Sequence, residues 1–177
     1  MTTKQFTEMS REQAERFMPT PEIQPVRKRL AEMVGDHYVV DIGCGKGDEV
    51  STLFTPKQYF GIDCSAELVR IARRNNPKHK FAHMTALDLP QRYWFTIIKA
   101  VFEHLPPDEA KAIYDHVRSI CDVMLVAWHT EPGKEKLSTY QGELGMMMQN
   151  RHDRFLFPEK NIKKREVCGK HVVWTVV

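Results

Sequence analysis

Three glycines at alternate positions, Gly43, Gly45 and Gly47, follow two apolar residues and an acid in the run Val39-Val40-Asp41-Ile42-Gly43-Cys44-Gly45-Lys46-Gly47-Asp48. The pattern predicts a strand that ends in a loop where a ligand meets bare backbone. Glycine lacks a Cβ and tolerates φ > 0, so a nucleoside or amino-acid moiety can lie on the main chain and meet N–H groups where the next helix begins. Asp63 stands twenty residues after Gly43, at the end of a second apolar run, Tyr59-Phe60-Gly61-Ile62. In an open α/β sheet the tips of neighbouring strands border the ligand crevice, and an acid on the second tip can bind both hydroxyls of a ribose. Its alternative role is a cap for a helix beginning near Ser65-Ala66. The third glycine falls one residue early for the dinucleotide pattern G-x-G-x-x-G, which argues against a pyrophosphate ligand.

These residues need elements to position them. Ser10-Arg-Glu-Gln13 has the spacing of a capping box, and Ala14, Phe17 and Met18 give a short helix one apolar face before Pro19 and Pro21. Pro25 opens a second helix along which Val26, Leu30, Met33 and Val34 recur at helical spacing until Gly35. Strand and helix then alternate: Tyr38–Ile42, a helix from about Asp48, Gln58–Ile62, a helix over Ala66–Asn75, a strand near Lys80–Met84, a fourth over Phe95–Ala100, a helix opened by Pro106-Pro107-Asp108, and the apolar fifth strand Val123–Trp128. Such alternation predicts a doubly wound α/β fold with a mostly parallel sheet and helices on both faces. The chain closes with Asn161–Val167 and His171–Val177 around Gly169-Lys170, a hairpin signal.

The 177 residues are one domain's worth of chain. No stretch approaches the roughly 20 apolar residues of a membrane span, and the polar start Met1-Thr2-Thr3-Lys4-Gln5 lacks the layout of a signal peptide. A cytoplasmic protein with no membrane partner is expected. Cys44, Cys64, Cys121 and Cys168 lack C-x-x-C spacing, so reduced thiols are expected rather than a disulfide framework or a metal site. Residues 151–177 hold seven Lys/Arg against three Asp/Glu within a net charge of +3. That basic segment reads as a solvated edge hairpin before it reads as a nucleic-acid surface, because aromatics that stack bases are not interleaved with its charges.

Asp-Ile-Gly-Cys-Gly-Lys-Gly followed by Gly61-Ile62-Asp63 resembles the nucleoside-binding motifs of the class I S-adenosylmethionine-dependent methyltransferases, over about Val39 to Val177. The resemblance implies a single methyltransferase domain over 1–177 with a seven-stranded sheet, its sixth and seventh strands the antiparallel closing pair. It implies S-adenosylmethionine as cofactor and a small-molecule oxygen, nitrogen or carbon acceptor. The helices of 1–36 are expected beside or over the cofactor cleft, and the insertion at 129–158, with Met146-Met147-Met148, is expected to shape the acceptor site. By the same resemblance Gly43, Cys44, Gly45 and Gly47 form the floor under the methionine tail, Asp41 reaches its ammonium, and Asp63 and Cys64 stand at the ribose. Met84-Thr85-Ala86-Leu87-Asp88 looks like the adenine motif, with Thr85 where an acid is often found and Asp88 too late for a simple replacement. Thr85 and Ala86 remain candidates for the base edge.

Lys99-Ala100-Val101-Phe102-Glu103-His104-Leu105-Pro106 is similar to the post-strand motif that faces the sulfonium in small-molecule members of the family. Glu103 and His104 are its acid–base pair. A histidine with a pKa of about 6.5 can accept a proton from an acceptor at neutral pH, or His104 can simply orient its loop. Lys99, at the strand tip, can join the site or be solvated. His129, Tyr140, Arg151 and His152 are further acceptor-side candidates. Neither Asn-Pro-Pro-Tyr nor Asp-Pro-Pro-Tyr follows the fourth strand, which lowers nucleic-acid bases as targets. Alternative readings are an RNA or protein methyltransferase using the basic C-terminal segment, a lapsed S-adenosylmethionine-binding protein, and a nucleoside-binding enzyme with different chemistry.

Overall fold

The computed structural model describes residues 3–17, 24–48, 50–129, 162–168 and 171–177. Two short helices, α1 (Thr3–Thr7) and α2 (Arg11–Arg16), precede α3 (Gln24–Val34). The alternating unit follows as β1 (Val39–Ile42), α4 (Val50–Leu53), β2 (Tyr59–Asp63), α5 (Ala66–Asn75), β3 (Lys80–His83) and β4 (Tyr93–Lys99). It continues through α6 (Pro107–Ile120) and β5 (Cys121–His129) to β6 (Ile162–Cys168) and β7 (His171–Val176). The helix expected from about Asp48 begins at Val50, and Asp48 lies in a turn before it.

All seven strands form one sheet in the order β3-β2-β1-β4-β5-β7-β6. The first five are parallel, and β7 runs antiparallel to both neighbours, as the closing pair was expected to do. β1 pairs with β2 on one side and β4 on the other, with Ile42 level with Ile62 and with Ile98. Strand order reverses there, and ligand crevices open at the carboxyl ends of such strands.

Alternation along β1 sends its side chains to two different cores. Val40 and Ile42 join Ala110, Ile113, Tyr114 and Val117 of α6. Val39 joins Val26, Leu30 and Val34 of α3 with Val69 and Ala72 of α5. Each fully buried Ile, Leu or Val in these layers contributes roughly 1.5–3 kcal/mol. Asp41, one residue from Val40 and from Ile42, lies on the α3 side of the sheet.

The N-terminal helices are anchored at two points. The capping box at Ser10 and Gln13 starts α2; Met9 and Ala14 then pack with Leu68 and Ile71 of α5, with Phe6 and Phe17 against the cluster. Glu15 pairs with Arg70 and Arg74 of α5, each at 3.3 Å. On the other side, the Thr3 N–H and hydroxyl both donate to Glu109 Oε2 of α6, at 2.8 and 2.7 Å.

Edge strand β6 is tied to α3 by a fork-on-fork pair, Arg29 Nε to Glu166 Oε2 at 2.9 Å and Nη2 to Oε1 at 3.0 Å, with Lys164 beside the same carboxylate. Hydrogen bonds from Arg29 first, then from Lys164, pull the Glu166 pKa from the ordinary 4.5 down to about 2. A depressed carboxylate stabilises the fold above its unfolded pKa and loses that contribution as pH falls through the folded one. We expect wild type to melt above Glu166→Gln at neutral pH. The gap should shrink below pH 4.5 and vanish near pH 2, in a thermal scan at low salt. A gap that persists unchanged at pH 2 would assign the difference to packing.

Met18, residues 130–158 of the expected insertion with Tyr140, Met146–Met148, Arg151 and His152, and the Gly169-Lys170 turn lie outside the described residues. Among the described residues no helix is long and apolar enough to cross a membrane.

Candidate active site

A cleft of about 680 Å³, including its open mouth, lies across the carboxyl ends of β1 to β4. Gly43 and Gly45 line it, both with positive φ, +73° and +58°. They line it for different reasons. A Cβ on Gly43 would stand 2.4 Å from Val101 Cγ2, so this glycine lets the loop after β4 approach. A Cβ on Gly45 would meet nothing within 4 Å, which leaves its backbone as open floor. Gly47 is not in the cleft; a Cβ there would meet Asn76 Nδ2 at 2.9 Å and Phe81 Cζ at 3.0 Å, and Asn76 Nδ2 donates to its carbonyl at 2.7 Å.

Asp63 ends β2 inside the cleft, only 8% exposed. Its Oδ2 accepts from Gly45 N–H at 2.9 Å and its Oδ1 from Ser65 N–H at 2.8 Å. Burial raises its pKa, and those two amide bonds oppose the rise. A carboxylate has about four acceptor positions, so these two bonds leave capacity for other donors. The cap of α5 is Ser65, whose side chain accepts from Leu68 N–H. Asp63 therefore fixes the turn rather than capping the helix directly. Cys64 beside it faces the same cleft, with its thiol pushed up to about 12, chiefly by burial. It stays protonated at neutral pH and is a poor nucleophile.

Thr85 and Ala86 line the cleft at the tip of β3, where Ala86–Asp88 forms a 3₁₀ turn. The Thr85 N–H and hydroxyl donate to Asp88 Oδ2 at 2.9 and 2.8 Å. The acid that comes three residues late thus folds back onto Thr85, and the two bonds lower the Asp88 pKa. With its proton engaged, the Thr85 hydroxyl oxygen turns acceptor toward any other partner.

The loop after β4 makes the opposite wall. Ala100 has φ +54°, the one positive-φ residue other than glycine among those described, and its N–H donates to the Ala127 carbonyl at 2.9 Å. A left-handed alanine costs roughly 1–2 kcal/mol. The bend delivers Val101 and His104 to the cleft while Phe102, 1% exposed, anchors the 3₁₀ turn Phe102–His104 in the α6 core. The His104 ring lies edge-on to Phe6 of α1, with centroids 6.0 Å apart and planes at 63°. Glu103 holds the middle of that turn; its side chain lies outside what the structure describes.

Asp41, Cys44 and Lys99 gather elsewhere. They line a smaller cavity of about 380 Å³ with Arg27, Asp48 and Phe54, on the α3 side of β1. Asp41 Oδ2 accepts from the Tyr59 hydroxyl at 2.7 Å, while Oδ1 is shut from solvent without a hydrogen-bond partner. Burial raises the Asp41 pKa against the Tyr59 bond and the charges of Lys99 and Arg27. Burial first, then the Asp63 and Asp41 charges, lifts the Cys44 thiol well above its usual value. The sequence-named residues thus divide into three groups: Gly43, Gly45, Asp63, Cys64, Thr85, Ala86 and His104 in the large cleft, Asp41, Cys44 and Lys99 in the small one, and Gly47 in neither. Thr3 and Phe6 also line the large cleft and carry no motif.

The model of the methyltransferase domain family matches residues 39–122. Magnesium protoporphyrin IX methyltransferase from Synechocystis PCC 6803, solved with bound SAH, is similar in fold: TM-score 0.68, 17% identity, covering 88% of this chain and 83% of that one. The mitomycin 7-O-methyltransferase gives a TM-score of 0.74 at 14% identity, over 99% of this chain and 60% of that one. The N-methyltransferase NodS from Bradyrhizobium japonicum WM9, in complex with SAH, gives 0.68 at 12% identity, over 98% and 95%. The family match spans the glycine loop, Asp63 and the loop after β4, and the likeness to these solved structures is one of fold.

Proposed function

We propose that this chain transfers the methyl group of S-adenosylmethionine to a small-molecule oxygen, nitrogen or carbon. The reading is carried by one cleft at the strand-order reversal that brings together the Asp63 carboxylate, the open floor at Gly45 and the Thr85-Ala86 turn. These residues fit an adenosyl sulfonium. Asp63 has acceptor capacity for two ribose hydroxyls, Thr85 Oγ1 can accept from the adenine amino group, and Ala86 N–H, in the first turn of its helix, lacks an intrahelical partner for the base edge. Asp41 Oδ1, the buried acceptor without a partner, suits the ammonium of the methionine tail, with Lys99 and Arg27 in the same cavity suiting its carboxylate. When bound, the cofactor supplies an electrophilic methyl whose sulfur leaves as a neutral thioether. Positioning is then most of the catalysis. Phe17, at the end of α2, covers the cofactor, and His104 takes the acceptor's proton.

Calorimetry should give micromolar affinity for S-adenosylmethionine or its demethylated product, about −8 kcal/mol. Absence of both heat and thermal shift would remove the reading. Mass spectrometry of a metabolite panel incubated with methyl-labelled cofactor then finds the acceptor. His104→Ala should lower turnover by roughly 10²-fold or more while leaving cofactor affinity unchanged. Loss of stability with unchanged turnover per folded molecule would make His104 a loop-orienting residue instead.

A further inference from the structure

With Asp63, Gly45 and Thr85 given to the cofactor, the described wall that remains in the large cleft is mostly apolar, and Phe6, Val101, His104 and Leu105 are part of it. Three of the four are apolar. Phe6 belongs to an anchored wall: it packs on the cluster of Met9, Ala14, Leu68 and Ile71, and α1 is held to α6 by the two Thr3 bonds to Glu109. Its ring and the His104 ring meet edge to face and form a corner with one flat apolar side and one imidazole side. Among the described lining residues there is no Lys or Arg, and Lys99 and Arg27 line the other cavity. A phosphate or carboxylate would shed its hydration against Val101, Leu105 and Phe6 with no Lys or Arg among the described lining residues to replace it. An aromatic ring stacks on such a corner with favourable quadrupole contact.

Resting on the proposed function, we infer that the acceptor is an uncharged, flat aromatic molecule with one weakly acidic O–H or N–H, seated against Phe6 with that group toward His104. As the acceptor oxygen or nitrogen bonds to the methyl carbon, the sulfur–carbon bond breaks and its electron pair stays on sulfur. The acceptor proton passes to the imidazole and then to water. Phe6 sets specificity by its flat face, and His104 is the catalytic residue.

The test uses the full chain saturated with S-adenosylhomocysteine and three probes sharing one ring system: 2-naphthol, 2-naphthoate and 2-naphthyl phosphate. Fluorescence titration should show 2-naphthol binding at least ten-fold tighter than either anion. The ¹⁵N-histidine spectrum should show it moving the resonance that His104→Gln removes. Phe6→Ala should weaken 2-naphthol at least ten-fold and S-adenosylhomocysteine less than two-fold. Phe6→Leu, which keeps apolar packing on Met9 and Leu68, should shift the naphthol affinity in the same direction and covers the case in which the alanine variant does not fold. Equal or tighter binding of an anion, or no naphthol binding to the cofactor-loaded protein, overturns the inference alone. Failure of S-adenosylhomocysteine itself to bind overturns the parent reading with it.

Discussion

Asp63→Ala should weaken S-adenosylhomocysteine binding by roughly 10- to 150-fold, because two ribose hydroxyls lose a charged partner worth about 1.5–3 kcal/mol. The geometry adds a second loss. Asp63 also accepts from Gly45 N–H and Ser65 N–H, so the alanine leaves two amides of the glycine loop and the α5 turn without their acceptor. The floor under the cofactor therefore loosens together with the ribose contact. Asp63→Asn separates the two effects. Its one carbonyl oxygen can keep a single amide bond, while its NH₂ must face the other N–H, so affinity should fall although the shape is kept. Burial raises the Asp63 pKa, so affinity in the wild type should begin to fall on acidification above the ordinary aspartate range. Calorimetry across pH on wild type and both variants measures this. Unchanged affinity with a lowered melting temperature would reduce Asp63 to a turn acceptor.

Much of the frame was legible because it follows from local rules. The apolar run Val123–Trp128 reads as a buried parallel strand and lies within β5, and the capping box at Ser10 starts α2 where its spacing says it should. The parts of the site that escaped reading depend on contacts distant in sequence or on backbone choices without a residue signature. Thr3 meets Glu109 across 106 positions. Ala100 adopts a left-handed φ that sequence assigns to glycine, and its N–H is tied to the Ala127 carbonyl. Asp41 shows a subtler limit. Alternation says that it faces away from Ile42, yet only the packed sheet decides that the large cleft opens on the Ile42 side and the Tyr59 pair on the other. The short 3₁₀ turn that brings Asp88 back to Thr85 is visible only in three dimensions.

The glycine loop gives the sharpest separation of structural from functional roles. Gly43→Ala places a Cβ 2.4 Å from Val101 Cγ2 at φ +73°. The loop has little room to move away, since Gly43 and Cys44 N–H both donate to the Ile62 carbonyl at 2.8 and 3.0 Å. Left-handed strain of about 1–2 kcal/mol adds to overpacking of about 1–3 kcal/mol. The sum is a large share of a typical stability of roughly 5–15 kcal/mol. Val101→Ala removes the colliding methyl, so the double variant should recover the overpacking part and keep the strain, a coupling of about 1–3 kcal/mol in a denaturation cycle. Gly45→Ala is the contrast. Nothing lies within 4 Å of its Cβ, so it should carry only the strain in stability, while the added methyl stands on the cleft floor and weakens S-adenosylhomocysteine. If Val101→Ala restores nothing to Gly43→Ala, the backbone conformation alone demands that glycine. If Gly45→Ala binds the cofactor product as well as wild type does, the cofactor does not lie on that floor.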